Sequence, residues 1–489
     1  MKVVIVGAGI GGLAAAIELR RHGFDDVTLL ERSDELGGTW HFNTYPGCCC
    51  DVPSHLYSFS FYPKHGWSRL CSPSQEINEY LREVAQEYDV ARLIEYGADV
   101  TECRFDRRWR VAAADGRTWE ADALIIATGQ LHQPAVPRFE GSFAGHSFHS
   151  ARWDHEYDLR GKRVAVIGTG ASAVQFVPEI APDVQALHVF QRTGNWFMPR
   201  KNRPYPGWFR QLLRRVPAIQ AARRRYWNTY IEFLTLMIRH PRTLGRIGVV
   251  MSGSFMRGQL RDPAVRAKAW PDYTFGCKRV LFSSHFLPAL QRPNVELVTE
   301  RVARLAPGGI ETADGRVREV DCIIYGTGFA TTQFMFPMEI VGPGGRSLRD
   351  AWADGAHAHL GVAVPGFPSL FLVYGPNTNT SGGSIIVFEE AQAGYIRQAL
   401  QHVARTGAAA IAVRPEVEAA SDRELQARFA GTAWLECDSW YRNESGRIVT
   451  NWPGYMREYA RALATFDPSE YELLSAPEAQ APAPTLAGA

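Results

Sequence analysis

The stretch Val3-Val4-Ile5-Val6-Gly7-Ala8-Gly9-Ile10-Gly11-Gly12 decides the fold of this 489-residue chain. Its first four residues are β-branched and predict a buried strand, and the glycines after them match the pattern G-x-G-x-x-G. The following residues, Leu13–Arg21, predict a helix. In such a unit Gly7 permits the tight turn, Gly9 lets the backbone approach a pyrophosphate, and Gly12 allows the helix to pack closely on the strand.

A second predicted strand, Val27–Leu30, ends at the acidic residue Glu31, which lies 24 residues after Gly7. A carboxylate at this position can accept hydrogen bonds from ribose hydroxyls, while the N-terminus of the helix offers unpaired N–H groups to phosphates. The strand, turn, helix and acid together predict a dinucleotide site, and the acid suits FAD.

The same unit occurs a second time. Lys162–Ile167 predicts a strand, Gly168-Thr169-Gly170-Ala171-Ser172-Ala173 matches G-x-G-x-x-A, and Leu187–Phe190 predicts the next strand. Gln191-Arg192-Thr193 follows, and Arg192 lies 24 residues after Gly168, where the first unit has its acid. An acid repels a ribose 2′-phosphate, whereas an Arg–Thr pair binds it through a charge-assisted hydrogen bond. The second site is therefore predicted to take NADPH rather than NADH.

Two further segments, 121–129 and 320–328, resemble each other as apolar strands that begin with Asp and end in Thr-Gly. Each would close one of the two units. We therefore predict an α/β fold with two Rossmann-like dinucleotide-binding domains. The discontinuous FAD-binding domain would comprise residues 1–142 and 329–474, the NADPH-binding domain residues 150–328 with a mostly helical insertion at about 205–270, and the Ala/Pro-rich tail 475–489 would be disordered.

Charge and hydropathy narrow the functional class. Lys and Arg (53) nearly balance Asp and Glu (51), which argues against a nucleic-acid-binding scaffold. No apolar run reaches the roughly 18 residues that span a bilayer, and a strand at Val3 leaves no room for a signal peptide. We therefore expect a cytoplasmic multidomain protein. Six arginines of the insertion are expected to form a solvated helical face rather than a membrane-binding surface: Arg210, Arg214, Arg215, Arg223, Arg224 and Arg225.

The eight cysteines contain no C-x-x-C pair, and in a cytoplasmic chain we expect them to be reduced thiols. No group of His, Cys, Asp and Glu has the spacing of metal ligands, so no metal site is predicted. The adjacent residues Cys48-Cys49-Cys50 do not supply the spaced redox pair of a flavin disulfide reductase.

Two signatures carry a more specific resemblance. The first is Gly37-Gly38-Thr39-Trp40 followed by Tyr45-Pro46-Gly47 and Asp51, and the second is Phe143-x-Gly145-x-x-x-His149-x-x-x-Trp153-Asp154, between the two units. With both nucleotide motifs, from Gly7 to about Pro453, the chain resembles the type I Baeyer–Villiger monooxygenases of the class B flavoprotein monooxygenases.

The resemblance implies an enzyme that uses FAD, NADPH and O2 to insert one oxygen atom next to a ketone carbonyl. The product is an ester or lactone, formed through a C4a-peroxyflavin. Related flavin-containing monooxygenases that oxidise nitrogen or sulfur share the nucleotide motifs and form the alternative, although Trp153-Asp154 favours the Baeyer–Villiger branch. A flavin-dependent NADPH oxidase or reductase is a further alternative, and the oligomeric state stays open.

The resemblance also implies roles for individual residues. Arg279, in Phe275-Gly276-Cys277-Lys278-Arg279, would be the active-site arginine, and Asp51 would pair with it and orient it. His149 is expected to act in the hinge and not as a general base. The implied cofactor contacts are Gly7, Gly9, Gly12, Glu31, Gly38, Thr39, Trp40, Asp51, Tyr57, Val100 and Ile385 for FAD, and Gly168, Thr169, Gly170, Ser172, Ala173, Gln191, Arg192, Thr193, Lys278, Arg279 and Trp440 for NADP.

Overall fold

The structure is a computed structural model that describes residues 1–380 and 383–475. The tail 475–489, for which we predict disorder, therefore lies outside the described residues except for Ser475. The helices are α1 (Ile10–Arg21), α2 (Thr39–Phe42), α3 (Ser74–Glu87), α4 (Ala171–Ile180), α5 (Gly207–Arg215), α6 (Pro217–Arg239), α7 (Gly245–Gln259), α8 (Pro263–Ala269), α9 (Phe286–Ala289), α10 (Leu348–Ala351), α11 (Ile385–Thr406), α12 (Pro415–Ala427) and α13 (Met456–Ala462).

Short strands alternate with these helices. They are β1 (Val3–Val6), β2 (Val27–Leu30), β3 (Ile94–Glu95), β4 (Val100–Asp106), β5 (Arg108–Ala113), β6 (Thr118–Ala121), β7 (Ala123–Ile126), β8 (Glu140–Gly141), β9 (His146–His149), β10 (Arg163–Ile167), β11 (Ala186–Phe190), β12 (Phe197–Met198), β13 (Leu281–Phe282), β14 (Val295–Val298), β15 (Val302–Ala306), β16 (Gly309–Thr312), β17 (Val317–Glu319), β18 (Cys322–Tyr325), β19 (Glu339–Val341), β20 (Leu370–Leu372), β21 (Ala410–Val413) and β22 (Tyr471–Leu474). Turns of 3-10 helix lie at Ala91–Leu93, Ser150–Arg152, Pro343–Gly345, Ala433–Leu435 and Pro468–Glu470.

The first unit is built on a parallel sheet in the order β20-β7-β1-β2-β3. The first strand of the chain is central, because β2 pairs with it on one side and the closing strand β7 on the other. Strand β20, from the C-terminal part of the chain, extends the same sheet. All four residues of β1 are buried, as the continuous β-branched run predicts for a strand covered on both faces.

The second unit repeats this arrangement in the parallel order β14-β11-β10-β18-β9. Strand β10 is central, with β11 on one side and the closing strand β18 on the other. The predicted α/β class with two Rossmann-like units is therefore confirmed. Strand β8, which precedes the hinge signature, pairs with β15 of the second unit. The second unit therefore includes residues that come before the hinge in the sequence.

Each unit also carries a smaller sheet in which three antiparallel strands are joined by one parallel strand from elsewhere in the chain. In the first unit β19 joins β4-β5-β6, and in the second β8 joins β15-β16-β17. Separate apolar cores lie between these layers, so that each unit buries its own hydrophobic surface. The duplication seen in the sequence is thus a duplication of the whole layered unit.

Helices α5 to α8 occupy the region between β12 and β13, where the sequence predicts a helical insertion. Three of its six clustered arginines bond to the protein: Arg224 donates to the carbonyl oxygen of Ser58 (2.8 Å), Arg223 to the hydroxyl of Tyr205 (2.8 Å) and Arg210 to the carbonyl oxygen of Gly66 (3.3 Å). For these three the prediction of a solvated face is wrong, because Arg210 and Arg224 bond to backbone carbonyls of residues 58–66 and Arg223 bonds to a tyrosine at the start of the insertion. Within residues 1–380 and 383–475 no helix combines the length and the apolar character that crossing a membrane requires.

Candidate active site at the junction of the two units

The first glycine turn lies between β1 and α1, and backbone atoms pack closely against two of its glycines. Gly7 has φ of +106°, and a Cβ built on it would lie 2.6 Å from the carbonyl oxygen of Ala127. A Cβ on Gly12 would overlap the carbonyl oxygen of Gly7. The turn therefore admits only glycine at these two positions, and its backbone N–H groups stay accessible to a phosphate.

Glu31 holds this turn in shape. It is 4% exposed, and its Oε2 accepts the backbone N–H of Ala8 at 2.9 Å, while Oε1 accepts that of Ser33 at 3.1 Å. Oε1 also accepts the hydroxyl of Ser33 at 3.1 Å, whereas Oε2 can accept one further hydrogen bond. The residue is therefore a structural part of the turn and still has the capacity to accept a bond from a ribose hydroxyl.

The segment that begins with Gly37 runs along the same turn, since the N–H of Gly37 donates to the carbonyl oxygen of Ala8 at 3.0 Å. Gly38 caps α2, Thr39 is exposed, and Nε1 of Trp40 donates to the hydroxyl of Tyr57 at 3.2 Å. Burial raises the pKa of Tyr57 well above its usual value, so its hydroxyl stays neutral. Of the remaining residues assigned to FAD, Ile385 is the first residue of α11 and Val100 the first of β4.

The second glycine turn lies between β10 and α4 and has nearly the same backbone. Gly168 has φ of +107°, Gly170 caps α4, and the first turn of that helix contains Ser172 and Ala173. The side-chain amide of Asn195 donates to the carbonyl oxygen of Thr169 at 2.9 Å and so helps to hold the turn in place. Sequence reasoning missed Asn195, because nothing in the G-x-G-x-x-A pattern points to a residue beyond the next strand.

Beyond β11 the second unit presents positive charge. Gln191 is buried, Arg192 is exposed and Thr193 is half-buried. Burial and then the nearby charge of Arg192 lower the pKa of Lys278, which shows that the two cations share one location. A cavity of about 360 Å³ opens beside them and is lined by Thr193, Asp272, Tyr273, Thr274, Lys278, Glu436, Cys437 and Asp438. Lys278 is thus the cationic residue in the lining of this cavity, with Arg192 nearby, and the other charged residues of the lining, Asp272, Glu436 and Asp438, are acidic.

Gln175 of α4 bonds the signature segment of the first unit to the second unit. Its Oε1 accepts the hydroxyl of Tyr45 (3.2 Å) and the backbone N–H of Cys49 (3.1 Å), and its Nε2 donates to the carbonyl oxygen of Cys49 (3.0 Å). Gln175 is a second residue that the sequence did not reveal. It fixes the segment that ends at Asp51 against the helix of the second glycine turn.

Asp51 and Arg279 meet between the two units. Nη2 of Arg279 donates to both carboxylate oxygens of Asp51, at 2.8 and 2.7 Å, and the two side chains are 31% and 18% exposed. Arg279 lies two residues before β13 in the second unit, whereas Asp51 ends the signature segment of the first. The pairing anticipated from sequence is present in the structure; the catalytic roles of the two residues stay predictions.

Electrostatics keep both members of this pair charged. Asp51 raises the pKa of the Arg279 guanidinium above its usual range. Burial raises the pKa of Asp51, but the charge and hydrogen bond of Arg279 outweigh this effect and the net pKa is lowered. Tyr374 and Tyr441 lie near the guanidinium, and Arg200 lies near the carboxylate. The arrangement is a fixed cation in a partly buried position.

A disulfide joins Cys277 to Cys437, across 160 residues of sequence. The expectation of reduced thiols is therefore wrong for this pair, because spacing along the chain does not show which cysteines the folded units bring together. The bond ties the segment that carries Arg279 to the segment that carries Trp440. Trp440 is 39% exposed and its ring lies 4.3 Å from that of Tyr441.

The hinge signature serves packing. His149 is 5% exposed, and its Nδ1 accepts the N–H of Ala151 at 3.1 Å. Trp153 contacts the rings of Phe148 and Phe176, and Asp154 pairs with His146 at 2.9 Å. His149 lies at the end of β9, and its hinge role stays a prediction.

Comparisons with known proteins agree with this geometry. Residues 4–216 match the family model described as pyridine nucleotide-disulphide oxidoreductase. A Baeyer–Villiger monooxygenase of Streptomyces coelicolor is 41% identical to this chain, over 100% of the chain and 94% of that protein. Among solved structures, an oxidized steroid monooxygenase bound to NADP superimposes with a TM-score of 0.86 at 30% identity, covering 97% of this chain and 99% of that one. The OTEMO complex with FAD and NADP gives a TM-score of 0.85 at 27% identity with the same coverage.

Proposed function

This chain belongs to the Baeyer–Villiger monooxygenase family, and from that premise we propose that Arg279 and Asp51 form its catalytic centre and that its substrate is a ketone. The protein is an FAD- and NADPH-dependent monooxygenase that inserts one atom of O2 next to a carbonyl group and yields an ester or lactone. Its relatives favour this activity over heteroatom oxidation and over a flavin-dependent NADPH oxidase or reductase.

The residues of the first unit fit FAD. The lack of space for a Cβ at Gly12 shows that α1 packs closely on β1, and Gly9, which has no side chain, would let the backbone approach the pyrophosphate. The buried Glu31 would accept a bond from the ribose, and the bonded pair of Trp40 and Tyr57 would lie against the flavin. When bound, FAD supplies the redox chemistry, because it accepts a hydride from NADPH and activates O2.

The residues of the second unit fit NADPH. The glycine turn of this unit offers the N-terminus of α4 to the pyrophosphate, and Arg192 with Lys278 supplies positive charge next to a cavity. Thr193 lines that cavity and would add a hydroxyl donor to the 2′-phosphate. Of the remaining assigned residues, Thr169, Ser172 and Ala173 belong to this turn and the start of its helix, and Gln191 follows β11 and donates to the carbonyl oxygen of Lys268. Trp440 would close over the nucleotide.

The observation that carries the catalytic proposal is the contact of Arg279 with both oxygens of Asp51 at the junction of the two units. A guanidinium keeps its proton at any working pH and would hold negative charge on oxygen without transferring a proton to it. Asp51 would orient the guanidinium and raise its pKa further. Positioned between both nucleotide sites, the cation would act where oxygen, flavin and ketone meet.

We extend the proposal to the location and partners of the protein. The requirement for NADPH supports a cytoplasmic location, and the near balance of 53 basic and 51 acidic residues supports a function without nucleic acid. Small molecules, namely a ketone and O2, would then be the partners of this enzyme.

Product analysis tests the catalytic proposal. The purified protein is incubated with NADPH, O2 and a panel of cyclic ketones and thioethers, and the masses of the products are determined. A ketone that gains one oxygen as its lactone is the expected result. Arg279→Ala should lower the rate of lactone formation by about 10²–10³-fold, as expected when a fixed donor to a developing oxyanion is removed, while NADPH is still consumed.

The matched control is Arg92→Ala, which removes an exposed arginine paired with Asp89 at the surface. This variant should keep the wild-type rate. Sulfoxide as the sole product would contradict the ketone substrate. Unchanged lactone formation by Arg279→Ala would contradict the role of the arginine.

A further inference from the structure

Glu389 is a buried acid that has no role in the proposed reaction or in the cofactor contacts described so far. It lies in the second turn of α11 and is 5% exposed. Its Oε1 lies against the first glycine turn, since a Cβ built on Gly11 would be 3.3 Å from that atom. Among the described residues its Oε2 has no hydrogen-bond partner. The carboxyl also lies close enough to Tyr57 and Tyr374 to raise the pKa of both tyrosines.

A buried carboxyl oxygen without a partner needs an explanation. Leaving such a group unpaired costs about 1–3 kcal/mol, and more when the group is ionised. Burial, and then the neighbouring Glu390, raise the pKa of Glu389 to about 8. Glu390 does not share the position, since its Oε1 accepts the backbone N–H of Ser60 at 2.6 Å. Burial therefore favours the neutral form of Glu389, whose carboxyl lies beside the glycine turn assigned to FAD and has one unpartnered oxygen.

We propose that Glu389 is an FAD-binding residue whose protonated carboxyl donates a hydrogen bond from Oε2 to an oxygen of the cofactor between its pyrophosphate and its ring. The proposal rests on the proposed function, because it requires FAD at the first glycine turn. Its basis is position: Gly11 belongs to the turn that faces the pyrophosphate, and Tyr57 belongs to the bonded pair next to the flavin. Glu389 lies between them with a donor that the described protein residues leave unused.

This contact makes FAD binding depend on pH in a defined direction. Deprotonation removes the donor and places a negative charge beside an anionic pyrophosphate, so binding weakens as the pH rises through about 8. Tyr57, Tyr374 and Glu390 are the titratable groups that face Glu389. Burial raises the pKa of both tyrosines, which stay neutral throughout this range. Burial also raises the pKa of Glu390, but its carboxylate already accepts the bond from Ser60.

The experiment measures release of FAD from the holoenzyme, without turnover. FAD fluorescence is recorded after dilution at pH values between 6.5 and 9.5, and far-UV circular dichroism at each pH verifies that the chain stays folded. In the wild type the dissociation constant should rise by up to about tenfold per pH unit above pH 8. Glu389→Gln keeps a donor but cannot ionise, so it should bind FAD as the wild type does at pH 7 and show no rise above pH 8.

Glu390→Gln is the matched control, the same substitution at the next residue of the same helix, and it should retain the pH-dependent release. A wild-type FAD affinity that is constant from pH 6.5 to 9.5 overturns the proposal, and so does a Glu389→Gln profile that matches the wild type. Either result leaves the proposed function intact if lactone still forms. Conversely, loss of the pH dependence in Glu389→Gln without oxidation of any ketone would support this contact and contradict the ketone proposal.

Discussion

The two glycine turns have the same backbone but differ in how the chain supports them. Gly7 and Gly168 have φ angles of +106° and +107°, and in each a Cβ would meet the carbonyl oxygen of the residue after the closing strand, Ala127 or Gly326. Both nucleotides contain a pyrophosphate, and the backbone conformation that the two turns share suits this common group. The nucleotides differ at the ribose, and there the two turns differ as well.

Glu31 of the first unit is buried and bonded to the turn through Ala8, whereas Arg192 of the second unit is exposed. The acid is thus a part of the turn that we expect also to bind the ribose, whereas the base is expected only to bind its nucleotide. Changes around the first turn are therefore expected to reduce both FAD binding and the stability of the fold, whereas changes around the second turn should reduce only the affinity for NADPH.

The largest effect is expected at the third position of the first glycine pattern. In Gly12→Ala the added Cβ would overlap the carbonyl oxygen of Gly7, so α1 must move away from β1. The pyrophosphate site lies at that contact, and we expect purified Gly12→Ala to carry less than about one tenth of the wild-type FAD. The measurement is flavin absorbance per protein, together with the midpoint of thermal unfolding.

The matched control is the reverse change at the same position of the second turn. Ala173→Gly removes a Cβ that the structure accommodates, and costs about 1 kcal/mol as a glycine within a helix. This variant should keep its FAD and bind NADPH. Normal FAD content in Gly12→Ala would show that the first turn is not as closely packed as the comparison requires.

Both turns could be predicted from the sequence because their chemistry is local. A strand, a glycine pattern and one charged residue lie within about thirty positions of each other. The spacing identifies the residue next to the ribose, and that residue is an acid in the first unit and a base in the second. The pairing of Arg279 with Asp51 was accessible only through the resemblance, since 228 residues separate the two. Nothing in the local pattern of either residue points to the other.

What the sequence did not reveal depends on proximity in the folded chain. Gln175 bonds to Cys49 across 126 residues, and Cys277 bonds to Cys437 across 160. Glu389 lies in an ordinary amphipathic helix, and its burial against Gly11 follows from how α11 packs on α1. A Gln, Cys or Glu considered alone in the sequence can have many roles, so the roles of these residues can be recognised only from their neighbours in the folded structure.

The next effect concerns the base of the second turn. Arg192→Ala removes the charge expected to bind the 2′-phosphate, a charge-assisted contact worth about 1.5–3 kcal/mol. The KM for NADPH should rise by about 10- to 100-fold, while the KM for NADH and the FAD content stay at wild-type values. Steady-state kinetics with both nucleotides provide the measurement.

Arg160→Ala is the control for this change, because Arg160 is an exposed arginine of the same unit that pairs with Asp158. It should leave both KM values unchanged. If Arg192→Ala raised the KM for NADH as much as that for NADPH, the arginine would be supporting the turn itself. The distinction between a structural acid and a ligand base would then fail.

The smallest effect is expected from the disulfide, which contacts the second site and not the first. Cys437→Ser frees the segment that carries Trp440 from the segment that carries Lys278 and Arg279. Binding NADP would then have to order one additional side chain at about 0.5–1.5 kcal/mol, so the dissociation constant should rise about two- to thirteenfold. FAD content should not change. Equilibrium titration of the holoenzyme with NADP measures this difference.

Reduction provides an independent way to break the same bond. Dithiothreitol should weaken NADP binding by the wild type to the level of Cys437→Ser and should have no effect on that variant, because its bond is already absent. Cys277→Ser should behave as Cys437→Ser does, and the double variant should add nothing, since both substitutions remove one bond. If FAD were lost together with NADP affinity, the disulfide would hold both units, and the second site could not be weakened independently of the first.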